Sequence, residues 1–286
     1  MINNVIKEEL PMNNRLKGRL KQSVCLWSSG LDLEALCRFL APLGVPAIDL
    51  LEPEQLATVR AHGLKCSLLA GICAGFCSNR GFNDPAHQEG YLAFLRDRVD
   101  AAAAGGCKQV ICFSGDRRPG LSDEQGLDNC VPGLIAISQY ARTKGVSITM
   151  ELLNSRVDHP GYMCDRSAWG LELCAKVARG LGLDPDRTGA KEVNFGLLFD
   201  LYHMQIMEGD LIRSVLRHGR WFNHYHSGGN PGRGPIDAMQ EINYPPLARA
   251  VLAAIEASGQ DEVYLAHEFL GGGEAALRQA LELCDV

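Results

Sequence analysis

From Ser23 onward, short apolar runs alternate with longer amphipathic stretches. Residues 24–27, 47–51, 65–69, 109–114, 146–152, 195–200, 222–226 and 263–268 have strand length, and all but 222–226 are dominated by apolar side chains. Between and after them, residues 33–40, 54–61, 88–103, 122–143, 167–179, 211–218, 244–257 and 274–283 place apolar residues at helical spacing. Helix punctuation agrees with that division. Asp32 is placed to cap the first helix, Ser122 with Gln125 forms a capping-box pattern, and Gly44, Gly63, Gly145, Gly180 and Gly259 fall where helices stop. Strand–helix alternation predicts a parallel sheet with crossover helices, and eight units closing on themselves give an α/β fold of the (β/α)8 TIM-barrel type. An open doubly wound sheet would carry a glycine-rich phosphate loop after its first strand, and Trp27-Ser28-Ser29-Gly30 is not one.

Composition adds exclusions. With 286 residues, 46% hydrophobic and 22% charged, the chain can bury a large core, and residues 23–286 are expected to form one barrel. Residues 1–22 are polar, carry Lys7, Arg15, Lys17, Arg19 and Lys21, and lack the apolar segment of a secretory signal; they read as a flexible leader. The net charge is −6 and no Lys/Arg block follows residue 22, which argues against nucleic acid as a partner. No run reaches the roughly 18 apolar residues of a membrane span. Of the 11 cysteines, Cys25, Cys66, Cys112 and Cys174 sit inside apolar runs. The odd total and the absence of any CxxC point to buried, reduced thiols and a cytoplasmic setting. Cys73 and Cys77 have Arg80 where a third cysteine would complete a cluster, so they are expected to be neither disulfide-bonded nor metal-bound.

Side-chain parity carries the chemistry. Side chains alternate across a strand, so if Val146, Ile148 and Met150 face the helices, Glu151 faces the barrel axis. The same count turns Asp200, His226 (with His224) and Glu268 inward. Four consecutive strands then end with an inward Glu, Asp, His and Glu at the carboxyl end, where barrel active sites are built. Three carboxylates and an imidazole converging there would repel one another without a cation. Mostly oxygen donors with one nitrogen favour one divalent ion, Mn²⁺, Mg²⁺ or Co²⁺, with Zn²⁺ as an alternative.

At these residues the chain resembles a known family. Glu151-Leu-Leu-Asn154, the run Asp200-Leu-Tyr202-His203-Met204-Gln205-Ile-Met-Glu208-Gly209-Asp210, Asn230-Pro-Gly-Arg233 and Glu241-Ile-Asn-Tyr244 look like the hydroxypyruvate isomerase family of xylose-isomerase-like barrels. The resemblance implies that Glu151, Asp200, His226 and Glu268 are metal ligands. It implies that Glu151 and Glu268 are also the acid/base pair, and that His203 and Arg233 contact substrate, His203 from the loop above the barrel. It implies isomerisation of a small hydroxycarbonyl compound, of the hydroxypyruvate/tartronate semialdehyde type, through a cis-enediolate, in an enzyme that commonly forms homo-oligomers. Ketose 3-epimerisation or 2-oxo-tetronate isomerisation would use the same parts; a metal-dependent dehydratase or hydrolase is the more distant alternative. The chain departs from its relatives at Ser67-Leu68-Leu69-Ala70-Gly71, where a polar His is common. It also departs in the extra residues around 182–191 and at Gln240, where Gly is usual.

Overall fold

The computed structural model describes residues 15–71 and 78–286. Eight parallel strands, β1 (Gln22–Cys25), β2 (Ala47–Asp49), β3 (Lys65–Cys66), β4 (Gln109–Cys112), β5 (Ser147–Leu152), β6 (Phe195–Asp200), β7 (Phe222–Ser227) and β8 (Leu265–His267), pair in the order β3-β2-β1-β8-β7-β6-β5-β4. Among the described residues a single bridge, Leu69 to Val110, joins the two ends and closes the barrel. The main crossover helices are α1 (Leu33–Leu43), α2 (Leu56–Ala61), α3 (Gln88–Gly105), α4 (Asp123–Thr143), α5 (Ser167–Gly180), α8 (Leu211–His218), α9 (Tyr244–Ser258) and α10 (Gly273–Leu283). Two short helices not expected from periodicity, α6 (Ala190–Val193) and α7 (Leu201–Met207), complete the set. Each is too short for a helical repeat to show in the sequence.

The expected caps form. Asp32 accepts from the Ala35 N–H at 2.7 Å, and Ser122 from that of Gln125 at 3.1 Å. Gly44 and Gly259 end α1 and α9 with φ of 77° and 62°, the left-handed conformation that glycine adopts without a Cβ penalty. Gly180 instead closes α5 from within the helix, and Gly182 takes the positive φ.

The outward strand side chains, among them Val24, Ile48, Val110, Ile148, Met150, Leu197 and Phe199, are sealed between barrel and helices. At Gly170 on α5 a Cβ would meet the Leu197 and Leu152 side chains within 3.3 Å, so α5 lies tightly against the outer face of β5 and β6. Residues 15–21, assigned to the leader by sequence, are packed: the Leu16 N–H donates to Leu43 O, those of Arg19 and Leu20 to Val286 O, and Leu20 is buried. The leader boundary expected at residue 22 therefore does not mark where contacts with the barrel begin. Residues 1–14 lie outside the described residues, as do Cys73 and Cys77 and the expectation attached to them. Nine other cysteines are buried free thiols. No described helix is long and apolar enough to cross a membrane.

Candidate metal centre

Glu151, Asp200 and His226 stand on β5, β6 and β7, and Glu268 follows the last residue of β8. Asp200 pairs in register with His226, and His226 with Ala266, so Glu268 stands two residues farther along its strand. Glu151 pairs with Leu198, one inward layer below Asp200. Strand tilt in a closed barrel offsets these levels and draws the four side chains together. One ligand atom from each lies within 4.8 Å of all the others, and all four residues are buried. His226 Nδ1 is the hub, 2.8 Å from Glu268 Oε2, 3.4 Å from Glu151 Oε1 and 3.8 Å from Asp200 Oδ2. It is buried without a hydrogen-bond partner of adequate geometry. Burial works against charge on this imidazole, but the Glu268 charge and the hydrogen-bonding carboxylates of Asp49, Glu151 and Glu268 raise its pKa well above the ordinary value. The pocket therefore calls for positive charge at Nδ1, and a divalent cation in place of that proton is what such a donor set accommodates.

The electrostatics fit that reading. Burial raises the Glu151 pKa, and the Glu268 and Asp200 charges add to it against the pull of His226. Burial likewise raises Asp200, opposed by Arg233. Burial also disfavours ionisation of Glu268, yet Arg233 and then His226 outweigh it and hold this carboxyl down at about 2. Both Glu268 oxygens are engaged: Oε1 accepts from Trp27 Nε1 at 2.8 Å, and Oε2 from Arg233 Nη2. The Arg233 guanidinium is clamped over the Trp27 and Tyr202 rings, 5.3 and 5.6 Å from their centroids, an arrangement that suits a cation on π faces. It also lies 3.8 Å from Asp200 Oδ2. Arg233 has φ 55°, a left-handed conformation uncommon outside glycine and held here by these contacts.

His203 is not in a loop. It lies in the first turn of α7, whose N-cap is Asp200: Asp200 Oδ1 accepts from the His203 N–H at 2.9 Å. The sequence reading missed this helix, and so placed the imidazole too far from the barrel; it is fully buried. Asn154 fixes its tautomer. Asn154 Oδ1 accepts from the Val157 and Asp158 N–H groups at 3.0 and 2.9 Å, so the amide nitrogen must point the other way. That nitrogen donates to Asp158 Oδ2 and to His203 Nδ1, both at 2.6 Å. Nδ1 is thus an acceptor and Nε2 carries the proton. Nε2 has no hydrogen-bond partner and lies 3.7 Å from Asp200 Oδ2. Burial, and next the Arg233 charge, hold the His203 pKa well below its ordinary value, so this donor is neutral.

Three contributors went unassigned from sequence. Asn154 lay inside the quoted motif, but its role depends on an Asx-type loop. Trp27, expected to end the first strand, lies in the turn after β1 and is half exposed. Asp49, on β2, is a charge inside an apolar run, and that was the available signal. It is fully buried, and its Oδ2 accepts from His226 Nε2 at 2.9 Å.

Residues 41–254 match the sequence model of the family described as xylose isomerase-like TIM barrel. A stretch of 107 residues is 33% identical to 2-oxo-tetronate isomerase of Cupriavidus necator, covering 37% of this chain and 35% of that protein. Hydroxypyruvate isomerase of Escherichia coli is 26% identical over 167 residues, 58% of this chain and 59% of that one. The chain thus spans less than two thirds of either of these relatives. L-Ribulose 3-epimerase of a Methylomonas species is 27% identical over 217 residues, 69% of each chain. Among solved structures, an AP endonuclease of family 2 from Brucella melitensis superposes with a TM-score of 0.70 at 21% identity, covering 91% of this chain and 97% of that one. The IolI protein, solved with a bound zinc atom, gives 0.62 at 18% identity over 93% and 95%. Likeness at these identities shows the fold.

Proposed function

Since the chain belongs to the xylose isomerase-like TIM barrel family, we propose that it is a divalent-cation-dependent isomerase of a small hydroxycarbonyl compound, of the hydroxypyruvate/tartronate semialdehyde type. The observation that carries the reading is the convergence of Glu151, Asp200, His226 and Glu268 around an unpaired imidazole nitrogen at the carboxyl end of the strands. A cation held by these residues supplies a Lewis acid that polarises a substrate carbonyl. The protein's own groups do the rest. Glu151 and Glu268 approach His226 from two sides and are the groups able to take a proton from carbon and return one. His203 Nε2–H donates to a substrate oxygen and orients it without adding charge. Arg233 and Trp27 fix Glu268, and Arg233 places a positive charge beside an anionic substrate.

One observation favours a second reading within the same chemistry. Arg233 spends Nε and Nη2 on Glu268, and among the described residues the chain after β3 presents buried Leu68 and Leu69 where a polar group could meet a carboxylate. A neutral ketose, epimerised at C3 as the name of the Methylomonas relative describes for that protein, suits such a pocket. The deciding experiment is a product screen of protein loaded with Mn²⁺, using hydroxypyruvate, a 2-oxo-tetronate and neutral ketoses, repeated after chelation. Turnover of hydroxypyruvate lost on chelation supports the first reading. Turnover confined to ketoses replaces it with the second, and full activity after chelation overturns both.

A further inference from the structure

Asp49, on β2, stands outside the four-residue cluster but touches it through His226, and one ligand atom from each of Cys25, Asp49 and His226 lies within 4.8 Å of the others. Asp49 is completely buried, and each of its oxygens has a defined partner. Oδ1 accepts from Ser67 Oγ. Oδ2 accepts from His226 Nε2 at 2.9 Å and from the Cys25 thiol at 3.6 Å. With a hydroxyl donating to one oxygen and a thiol to the other, the carboxylate is an acceptor at both. An acceptor at Nε2 requires the proton there, and a neutral imidazole with its proton on Nε2 has its lone pair on Nδ1, the atom facing Glu151, Asp200 and Glu268.

We infer that Asp49 is a positioning residue: through the Nε2 hydrogen bond it selects the His226 tautomer, and holds the ring plane, that present Nδ1 to a divalent cation. The inference rests on His226 being a cation ligand and adds to it the group that makes it one.

The surroundings fit this role. Ser67 and Cys25 anchor Asp49 from the neighbouring strands, so the carboxylate cannot follow His226 if the ring turns. His224, whose Nε2 lies 3.2 Å from Asp49 Oδ1, is held on its far side by a contact of 3.0 Å between its Nδ1 and Gln109 Oε1. Gln109 Nε2 donates to the backbone oxygens of Asn223 and Glu262, which fixes that amide in turn. His224 therefore packs against His226 as a rigid wall, ring centroids 5.3 Å apart and planes 81° to each other. Outer partners of this kind typically change metal affinity about ten- to hundredfold when removed.

The test uses full-length protein and has three arms. Mn²⁺ binding to wild type by calorimetry comes first; no binding of Mn²⁺, Co²⁺, Mg²⁺ or Zn²⁺ overturns the ligand reading itself, and this inference with it. The second arm is Asp49→Asn, an isosteric change whose amide can donate to Nε2 and so stabilise the wrong tautomer. Mn²⁺ affinity is expected to fall about ten- to hundredfold with an unchanged circular dichroism spectrum. Wild-type affinity in the folded variant overturns the role of Asp49 while leaving the cation site standing. The third arm needs no Asp49 variant to fold. Long-range proton–nitrogen spectra of histidine-labelled wild type, with His226 assigned by His226→Gln, report the tautomer before and after Zn²⁺. An Nε2-bound proton in the Zn²⁺ state is expected, and a proton on Nδ1 in that state overturns the proposal.

Discussion

The two halves of the barrel are built differently. On one side β5, β6 and β7 run for six residues each, with one register shift between β6 and β7 at Leu197/Leu198, and each delivers a cluster ligand, with Glu268 following β8. On the other side β2 and β3 have three and two residues, and Leu50 breaks the alternation with φ 52° directly after Asp49. Long strands, paired over most of their length, suit side chains that must converge on one point. The short strands carry none of the four cluster ligands; Asp49 of β2, and Trp27 in the turn after β1, reach across to orient ligands of the other half. The lesson is a division of labour: one half supplies the chemistry and the other sets the angle at which it is presented.

The largest expected effect breaks the first half of that statement or confirms it. Glu151→Gln and Glu268→Gln are each expected to cut turnover by at least about a hundredfold, as loss of an acid/base group does. Full activity in either variant, measured at saturating metal, removes that residue from proton transfer. Arg233→Ala probes the charge that leans on both halves. Losing a charge-assisted hydrogen bond typically costs about 1.5–3 kcal/mol, so kcat/KM for a carboxylate substrate is expected to fall roughly ten- to hundredfold, and that for a neutral ketose less. Equal losses for both substrates would assign Arg233 to holding Glu268 alone.

His267 tests the joint between the halves. Its Nε2 donates to Gln22 Oε1 of β1 at 2.9 Å, and its Nδ1 accepts from Ser227 Oγ of β7 at 2.8 Å. Burial lowers its pKa to about 3. A histidine depressed on folding stabilises the native state fully above its unfolded pKa, and that contribution is lost as pH falls from about 6.5 toward the folded value. By pH 5 the loss is about 2 kcal/mol, from about 1.5 pH units at about 1.4 kcal/mol each. Buried His203 and His224 are shifted in the same direction. The drop in Tm between pH 7 and pH 5 should therefore shrink in His267→Gln without vanishing; an unchanged drop would show that this joint does not sense acid. The smallest effect sharpens the comparison most. Trp27→Phe keeps the ring under Arg233 but deletes the hydrogen bond to Glu268, and about 1 kcal/mol, near fivefold in kcat/KM, is expected. A loss as large as that of Glu268→Gln would move Trp27 from orienting group to essential one.

Much of this was legible in the sequence. The eight strands lay where apolar runs end in punctuated loops, and parity alone turned Glu151, Asp200, His226 and Glu268 to one side. What parity cannot supply is level: Glu151 stands opposite Leu198 and not Asp200, and only barrel tilt brings them together. Asp49 was hidden for a related reason. Its partners are 177 and 18 residues away, and the positive φ at Leu50 shifts the count beyond it. His203 was misplaced because seven residues after Asp200 are too few to show a helical period, although Asp200 capping the His203 N–H is what starts that helix.

The closure at Leu69 has a mechanical consequence. There the Leu69 N–H donates to Gln109 O at 2.9 Å and the Ile111 N–H to Leu69 O at 3.2 Å, where β5 and β6 share a five-residue ladder. If the barrel breathes, it opens first along this line, as a ring parts at its clasp, and β4 stands between the clasp and β5, the first of the strands that hold the cation ligands. Amide protons of Leu69 and Ile111 should then trade with deuterium well before those of Leu198 and Tyr225. Thermal opening can vent through the weak edge while the four ligands keep their spacing.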